Sequence, residues 1–173
     1  MIIVLSDKKT DFEDSFTKIL HGCKAAIISD SEVTEGISPL CVVSRHKTSK
    51  ITMNKGAVVL GECLWNFKNQ HLPSSIIGIC SENNLTGLKL LKSNNLPIIT
   101  CGMGRKNTLT VSSNEKDSAL LCLQRSITDI NGNTVEPCEI KVLKKSPYNC
   151  YSLLAATAVM LIYGIKDSPN FIW

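Results

Sequence analysis

Aromatic residues, basic runs and long apolar runs are all scarce in this 173-residue chain. Aromatic residues make up only 5% of it, which excludes a base-stacking surface for single-stranded nucleic acid. The net charge is +4 and no run of Lys or Arg exceeds two residues, too little for the basic face of a nucleic-acid-binding protein. The longest apolar stretch, residues 151–165, is shorter than the ~20 residues of a membrane-spanning helix. We therefore expect neither nucleic acid nor membrane as a partner.

The eight cysteines lack the close spacing of metal sites, since no two are nearer than twelve positions. This spacing excludes the paired cysteines of a structural zinc site. Cys41, Cys80 and Cys122 lie inside apolar runs, where a reduced thiol behaves as a small buried hydrophobe. The first five residues are apolar, but Ser-Asp-Lys-Lys follows at once, which does not fit a secretory signal. We expect reduced thiols and a cytoplasmic location.

What the sequence does contain is an alternation of short apolar runs with amphipathic segments. Buried strands are predicted at residues 1–5, 25–29, 40–44, 57–60, 76–80 and 97–101. Helices are predicted from 10 to a stop at Gly22, around 62–69, and from 85 to an end at Asn94-Asn95. Strands that are apolar throughout and alternate with helices are typical of parallel sheets. The predicted class is α/β, with a mainly parallel sheet covered by helices.

Beyond residue 104 the pattern changes to successive strands, at residues 108–112, 119–127 and 139–143, with Asn-Gly-Asn at 131–133 as a turn. This pattern predicts an antiparallel β extension in the C-terminal half. The last helix is predicted to begin with Ser146 as N-cap and Pro147 at its first position, and to end at Gly164. Because the chain has no repeat or linker, we expect one domain over residues 1–173.

Two segments of the chain carry a family pattern. The first runs from IIGICSENN at 76–84 to LPIITCGM at 96–103, and the second is PYNCYSLLAATAV at 147–159 followed by YGI at 163–165. They resemble a late strand–helix–strand unit and an alanine-rich helix of the central ATP-binding domain of the Mur ligases. These are ATP-dependent amide-bond-forming enzymes of peptidoglycan precursor synthesis, with folylpolyglutamate synthetases as relatives. The resemblance covers about residues 76–165 and implies the same α/β fold.

The phosphate-binding loop of that family, G-x-x-G-K-[ST], has no glycine-containing counterpart here. Residues 6–14 read SDKKTDFED, so the backbone does not readily form a phosphate nest. Lys9 and Thr10 match the Lys-Thr pair that the resemblance assigns to ATP. Four acids against two lysines give this segment a formal charge of −2, which opposes a triphosphate. The alternative is an ordinary helix start in which Thr10 and Glu13 form a capping box.

Two further residues match family positions. Asn149 corresponds to the asparagine that contacts adenine, although Tyr148 and Ser152 replace the histidine and the second asparagine of the family pattern. Its alternative role is to cap the last helix locally. Glu62, just after the strand at 57–60, corresponds to the magnesium-binding glutamate of the family. Its alternative is a surface acid at the start of a helix.

The remaining chemistry of the chain follows no known motif. The three histidines, His21, His46 and His71, are too far apart in sequence for a metal-binding motif. The segment Gly-Met-Gly at 102–104 is followed by two cations, which favours either an anion site or a solvated turn.

These observations favour a degenerate, non-catalytic Mur-ligase-like module that acts as an accessory or interaction domain, has no cofactor, and binds an unidentified protein. The alternative is a nucleotide-binding fragment or subunit of an ATP-dependent amide ligase. In that case the resemblance implies that Lys9, Thr10 and Asn149 bind ATP and that Glu62 binds magnesium. A small-molecule site at the carboxyl ends of the parallel strands is a third hypothesis. The sequence does not indicate an oligomeric state.

Overall fold

A computed structural model describes residues 1–6, 10–29, 33–36, 40–45, 50–62, 64, 70–165 and 170–172. The helices in these ranges are α1 (Asp11–Gly22), α2 (Leu85–Ser93) and α3 (Cys150–Ile162). The strands are β1 (Ile2–Leu5), β2 (Ala26–Ile28), β3 (Val33–Thr34), β4 (Cys41–Arg45), β5 (Ala57–Leu60), β6 (Ile77–Ser81), β7 (Ile98–Gly102), β8 (Leu109–Asn114), β9 (Ser118–Leu123), β10 (Ile127–Thr128), β11 (Thr134–Val135), β12 (Cys138–Leu143) and β13 (Asn170–Ile172).

Eleven of the described strands form one sheet in the order β13-β12-β9-β8-β7-β6-β5-β1-β4-β2-β3. Every neighbouring pair from β2 to β8 is parallel. Strand β9 is antiparallel to both β8 and β12, and the outer strand β3 is antiparallel to β2. The predicted class, a mainly parallel α/β sheet with an antiparallel extension in the C-terminal half, is confirmed.

The side chains of the parallel strands alternate between two apolar layers, because successive residues of a strand point to opposite faces. Ile2 and Val4 of β1 pack in one layer with the buried faces of α1 and α3. Ile3 and Leu5 pack in the other layer with the buried face of α2. Helices therefore cover both faces of the sheet.

Helices α2 and α3 both end in a Schellman motif. In α3, the N–H of Ile165 donates to the carbonyl of Met160 at 3.0 Å, and Gly164 donates to Leu161 at 3.1 Å. Gly164 has a φ of +65°, so its predicted role as the helix stop is confirmed. In α2 the left-handed position is taken by Asn95, with a φ of +56°. The predicted end of this helix at Asn94-Asn95 is confirmed.

Helix α1 ends at Gly22, so the predicted stop at this residue is confirmed. The left-handed position belongs to Lys24, with a φ of +60°, and not to the glycine. The N–H of Lys24 donates to the carbonyl of His21 at 2.8 Å, and that of Ala25 donates to the carbonyl of Leu20 at 3.1 Å. These two bonds place the turn two residues after the end of the helix.

The start of α3 differs from the prediction. The helix begins at Cys150 with Asn149 as its N-cap, so the predicted start at Ser146 and Pro147 is wrong. Oδ1 of Asn149 accepts from the backbone N–H groups two and three positions on, at 2.9 and 3.2 Å. Two cap bonds from one side chain fix the start at this residue.

Other predicted elements agree within one or two residues, and β5 matches the predicted strand at 57–60. The predicted strand at 119–127 is divided into β9 and β10, and the turn at 131–133 joins β10 to β11 as expected. Three short strands, β3, β11 and β13, were not predicted. The helix predicted around 62–69 falls mainly outside the described residues. Within the ranges that are described, no helix is long and apolar enough to cross a membrane.

Candidate functional site

The candidate site lies at the carboxyl ends of the parallel strands, where open α/β sheets bind ligands. Five neighbouring strands, β4, β1, β5, β6 and β7, end at this edge of the sheet. Helix α1 follows β1 after a short connection, and its N-terminus lies here too. Of the site residues predicted from the sequence, Thr10, Glu62 and Asn149 belong to this edge or to the connections beside it.

The first notable side chain at this edge is Glu13, in the first turn of α1. It is only 4% exposed, and its Oε2 accepts a hydrogen bond from Ser6 Oγ at 3.0 Å. Its Oε1 accepts from the hydroxyl of Ser44. Ser6 follows the end of β1 and Ser44 lies in β4, so the carboxylate joins the ends of two adjacent strands. An acid of the chain itself therefore occupies the position beside the helix N-terminus.

This arrangement corrects the predicted capping box. Thr10 is the N-cap residue, but its side chain makes no cap bond, and Glu13 reaches Ser6 and Ser44 instead of turning back to Thr10. Oγ1 of Thr10 is buried without a hydrogen-bond partner among the described residues. Lys9, the other half of the predicted Lys-Thr pair, lies outside the described residues.

The structure brings the other two predicted site residues together. Asn149 Nδ2 donates to Glu62 Oε1 at 3.1 Å, which links the start of α3 to the residue that follows Gly61 after β5. Because Oδ1 of Asn149 caps α3, both polar atoms of this amide have partners within the chain. Glu62 is exposed, as expected for the surface-acid alternative.

The start of α3 is fixed by two further hydrogen bonds. Tyr151 Oη donates to the carbonyl of Leu60 at 2.6 Å, and Ser152 Oγ donates to the carbonyl of Phe12 at 2.8 Å. The rings of Phe12 and Tyr151 stack with their centroids 4.6 Å apart. Burial raises the pKa of Tyr151 well above its ordinary value, so the phenol stays protonated as a donor. These contacts hold the first turns of α1 and α3 together above the strand ends.

A second carboxylate, Glu82, follows the end of β6. Its Oε1 accepts from the backbone N–H of Met103 at 2.8 Å and of Gly104 at 3.3 Å, and its Oε2 accepts from Asn107 Nδ2 at 2.6 Å. A Cβ added to Gly102 would lie 2.2 Å from Oε1, and one on Gly104 would lie 2.8 Å from Oε2. Both glycines are needed for this close approach.

The glycine turn at 102–104 is therefore an anion site, and its anion is the chain's own Glu82. The turn is also exposed to solvent, with Met103 65% exposed, as the alternative of a solvated turn predicted. Donation by Asn107 is the main cause that lowers the pKa of Glu82, and the backbone bonds from Gly104 and Met103 lower it further. The sequence signal for this contact was a Gly-x-Gly turn after one strand and an acid after the neighbouring strand.

The two histidines in the described ranges, His21 and His71, do not contribute to this edge. His21 and His71 are exposed and far apart in sequence, while His46 is outside the described residues. In the part of the chain that the structure describes, no group of three or more His, Cys, Asp or Glu side chains could hold a metal ion.

The fold is similar to solved structures of Mur ligases. The murein peptide ligase Mpl from Psychrobacter arcticus superposes with a TM-score of 0.55 at 10% identity, over 98% of this chain and 44% of that protein. Two crystal structures of MurF from Acinetobacter baumannii give TM-scores of 0.52 and 0.50 at 12% and 11% identity, over 95% of this chain and 42% and 43% of theirs. No protein-family model and no curated protein matches the chain.

These likenesses show a Mur-ligase-like fold, as the sequence resemblance implied. They extend over nearly the whole chain, whereas the sequence resemblance covered only residues 76–165. The chain spans less than half the length of the ligases it resembles.

Proposed function

We propose that this chain is a Mur-ligase-like module that does not itself bind ATP for ligation and acts as an accessory or interaction domain beside peptidoglycan precursor synthesis. The observation that carries the proposal is the buried carboxylate of Glu13 at the N-terminus of α1. In nucleotide-binding α/β proteins this position receives phosphate groups, because the helix start offers N–H donors and a partial positive charge.

A triphosphate would bring about four negative charges to this carboxylate. Each pair of like charges 4 Å apart costs about 1 kcal/mol in water and about 4 kcal/mol near a protein surface. The hydroxyls of Ser6 and Ser44, which could otherwise donate to a phosphate, already donate to Glu13. We therefore expect ATP to bind at this helix start only if Glu13 moves away.

The test is isothermal titration of the full chain with Mg-ATP. We expect no binding in the micromolar range, and micromolar binding would falsify the proposal. A Glu13→Gln variant isolates the electrostatic cause, because it removes the charge and keeps the shape. Its matched control is Glu139→Gln, which changes an exposed acid on β12. We expect ATP binding to improve in Glu13→Gln and to stay unchanged in the control.

A second candidate function is a nucleotide-binding subunit of an amide ligase that another chain completes. The contact between Asn149 and Glu62 favours it, because the amide proposed for adenine and the acid proposed for magnesium lie at the same edge. The buried hydroxyl of Thr10, without a partner in the described ranges, also favours it.

This second candidate predicts that Lys9→Ala and Asn149→Ser each weaken Mg-ATP binding about tenfold, equal to ~1.4 kcal/mol. Serine is chosen at position 149 because it keeps the N-cap oxygen and removes only the amide donor. Unchanged binding in both variants would rule this candidate out.

A further inference from the structure

An open cleft of about 620 Å³ lies at the opposite edge of the sheet, away from Glu13 and Glu82. Its walls come from residues 50–54, 71–75 and 93–95, which precede β5, β6 and β7. Segments that lead into parallel strands lie at the amino ends of those strands. The volume is within the range of small-molecule sites.

The cleft has an apolar floor and a polar rim. Ile51, Met53 and Leu72 form the buried floor, each at most 6% exposed. The rim contains polar side chains that make no hydrogen bond to the described residues, namely Lys50, Thr52, Asn54, His71, Ser74 and Asn95. The rim therefore offers hydroxyl, amide and cationic groups that are available to a ligand.

Hydrogen bonds within the walls hold the cleft open. Asn94 Oδ1 accepts from the N–H of Leu72 at 2.9 Å, and Asn94 Nδ2 donates to the carbonyl of Gln70 at 3.1 Å. Ser75 Oγ donates to the carbonyl of Met53 at 3.0 Å, which joins two of the three walls. A cleft with cross-linked walls loses little conformational entropy when a ligand binds.

The C-terminus of α2 faces this cleft, and free carbonyls there would repel an anion. Part of this effect is reduced by hydrogen bonds within the chain. The carbonyl of Leu90 accepts from Ser93 Oγ and Asn94 Nδ2, both at 2.9 Å, and that of Lys92 accepts from the N–H of Asn95 at 3.0 Å. The negative end of the helix dipole remains, so an anion binds best on the Lys50 side of the cleft.

The lining of the cleft carries one charged side chain. It includes Lys50 but no Asp or Glu. The sequence from 36 to 114 contains only two acids, Glu62 and Glu82, and both lie at the carboxyl edge. A ligand in the cleft therefore meets the ammonium group of Lys50 with no acidic side chain in the lining to neutralise it.

We propose that this cleft binds a small ligand with several hydroxyl groups and one anionic group, of the sugar phosphate class. The phosphate pairs with Lys50, and the sugar hydroxyls exchange hydrogen bonds with the side chains of Thr52, Asn54 and Ser74. The apolar floor covers the C–H face of the sugar. This proposal does not depend on the function proposed for the carboxyl edge.

The experiment is an NMR titration of the ¹⁵N-labelled full chain with ribose 5-phosphate, alongside ribose and inorganic phosphate. We expect saturable shifts of amides in 50–54, 71–75 and 93–95 below about 10 mM ribose 5-phosphate, equal to ~2.7 kcal/mol of binding. Ribose and inorganic phosphate alone should bind more weakly. The absence of saturable shifts in these segments, or equal binding of inorganic phosphate, would overturn the proposal.

The charge contribution is tested by Lys50→Gln against Lys89→Gln, an exposed lysine on α2 that does not line the cleft. We expect Lys50→Gln to weaken binding about threefold, as for an exposed ion pair, and added salt to reduce the difference. Equal affinities of the two variants would contradict the assigned role of Lys50. Shifts confined to the carboxyl edge would place the ligand elsewhere and overturn the assignment of the cleft.

Discussion

Replacing Glu82 by alanine tests whether an internal carboxylate holds the carboxyl edge of the sheet together. The side chain joins the residue after β6 to the turn that follows β7 through three hydrogen bonds. Without it, the N–H groups of Met103 and Gly104 turn to water. Asn107 is only 3% exposed and keeps its bond to the carbonyl of Gly104 at 2.9 Å.

The expected loss of unfolding free energy for Glu82→Ala is about 2 kcal/mol. A fully buried hydrogen bond to a charged group contributes about 1.5–3 kcal/mol. Three fully buried bonds of this kind would contribute more than 2 kcal/mol. Glu82 is partly exposed, however, and water replaces part of the hydrogen bonding that the variant loses. For a protein of this size, each kcal/mol lowers Tm by about 2–4 °C. We therefore expect Tm to fall by about 4–8 °C.

The contribution of Glu82 to the free energy of unfolding should decrease at acidic pH. Because the pKa of Glu82 is lowered from 4.5 in the folded protein, its carboxylate stabilises the fold fully above that value. The contribution is lost as the pH falls through the folded pKa. The stability difference between wild type and Glu82→Gln should be constant above about pH 5 and shrink progressively below it.

The assay is urea unfolding at several pH values, with Glu139→Ala as a matched control on an exposed acid of β12. Acetate provides a second readout, since it can occupy the vacated site in Glu82→Ala and should raise Tm of that variant but not of wild type. A Glu82→Ala protein as stable as the control, with no response to acetate, would refute the role assigned to this carboxylate.

Three further changes have expected outcomes. Glu13→Ala should lower the free energy of unfolding, measured in urea, by about 2–3 kcal/mol, because buried hydroxyls lose a charged acceptor. A loss below about 0.5 kcal/mol, the size expected of a neutral surface substitution, would argue against a structural role for Glu13. Lys24→Gly should raise the free energy of unfolding by about 1 kcal/mol, since glycine adopts a positive φ without strain. A decrease in this free energy would contradict the assignment of strain to Lys24. Iodoacetamide at pH 8 should label the exposed Cys138 well before Cys80, because burial raises the pKa of the Cys80 thiol to about 12. Equal labelling of the two cysteines in peptide mapping would contradict the buried position of Cys80.

Much of the fold could be predicted because buried parallel strands are apolar along their whole length. The run at 57–60 gave β5 without error, since its four side chains are all buried. Strands β3 and β13 have only two and three residues, too few for a pattern. The start of α3 was misplaced because Ser146-Pro147 is as good a local start signal as Asn149. The contact of Asn149 with Glu62 is tertiary and has no trace in the local sequence.

For the candidate site, the acidic character of the helix start was predicted, but the contacts of its carboxylate were not. The sequence showed an acidic, glycine-free connection after β1, but Glu13 was interpreted as one half of a capping box. The spacing Thr-x-x-Glu fits that motif locally. Its real partners, Ser6 and Ser44, are seven and thirty-one positions away and meet it only because β1 pairs with β4. Glu82 escaped prediction for the same reason.

The two internal carboxylates affect ligand binding at the carboxyl edge in the same way. An anion can bind to the donors that Glu13 and Glu82 now occupy only after these carboxylates leave, and the free energy of that displacement is subtracted from the affinity of the ligand. If the displacement costs about 2–3 kcal/mol, an intrinsic micromolar affinity falls by about 30- to 160-fold. The cleft at the amino edge requires no such step, because Lys50 in its rim has no carboxylate partner in the described ranges. A weak anionic ligand should therefore be detected first at the amino edge, and in Glu13→Gln the preference should shift toward the carboxyl edge.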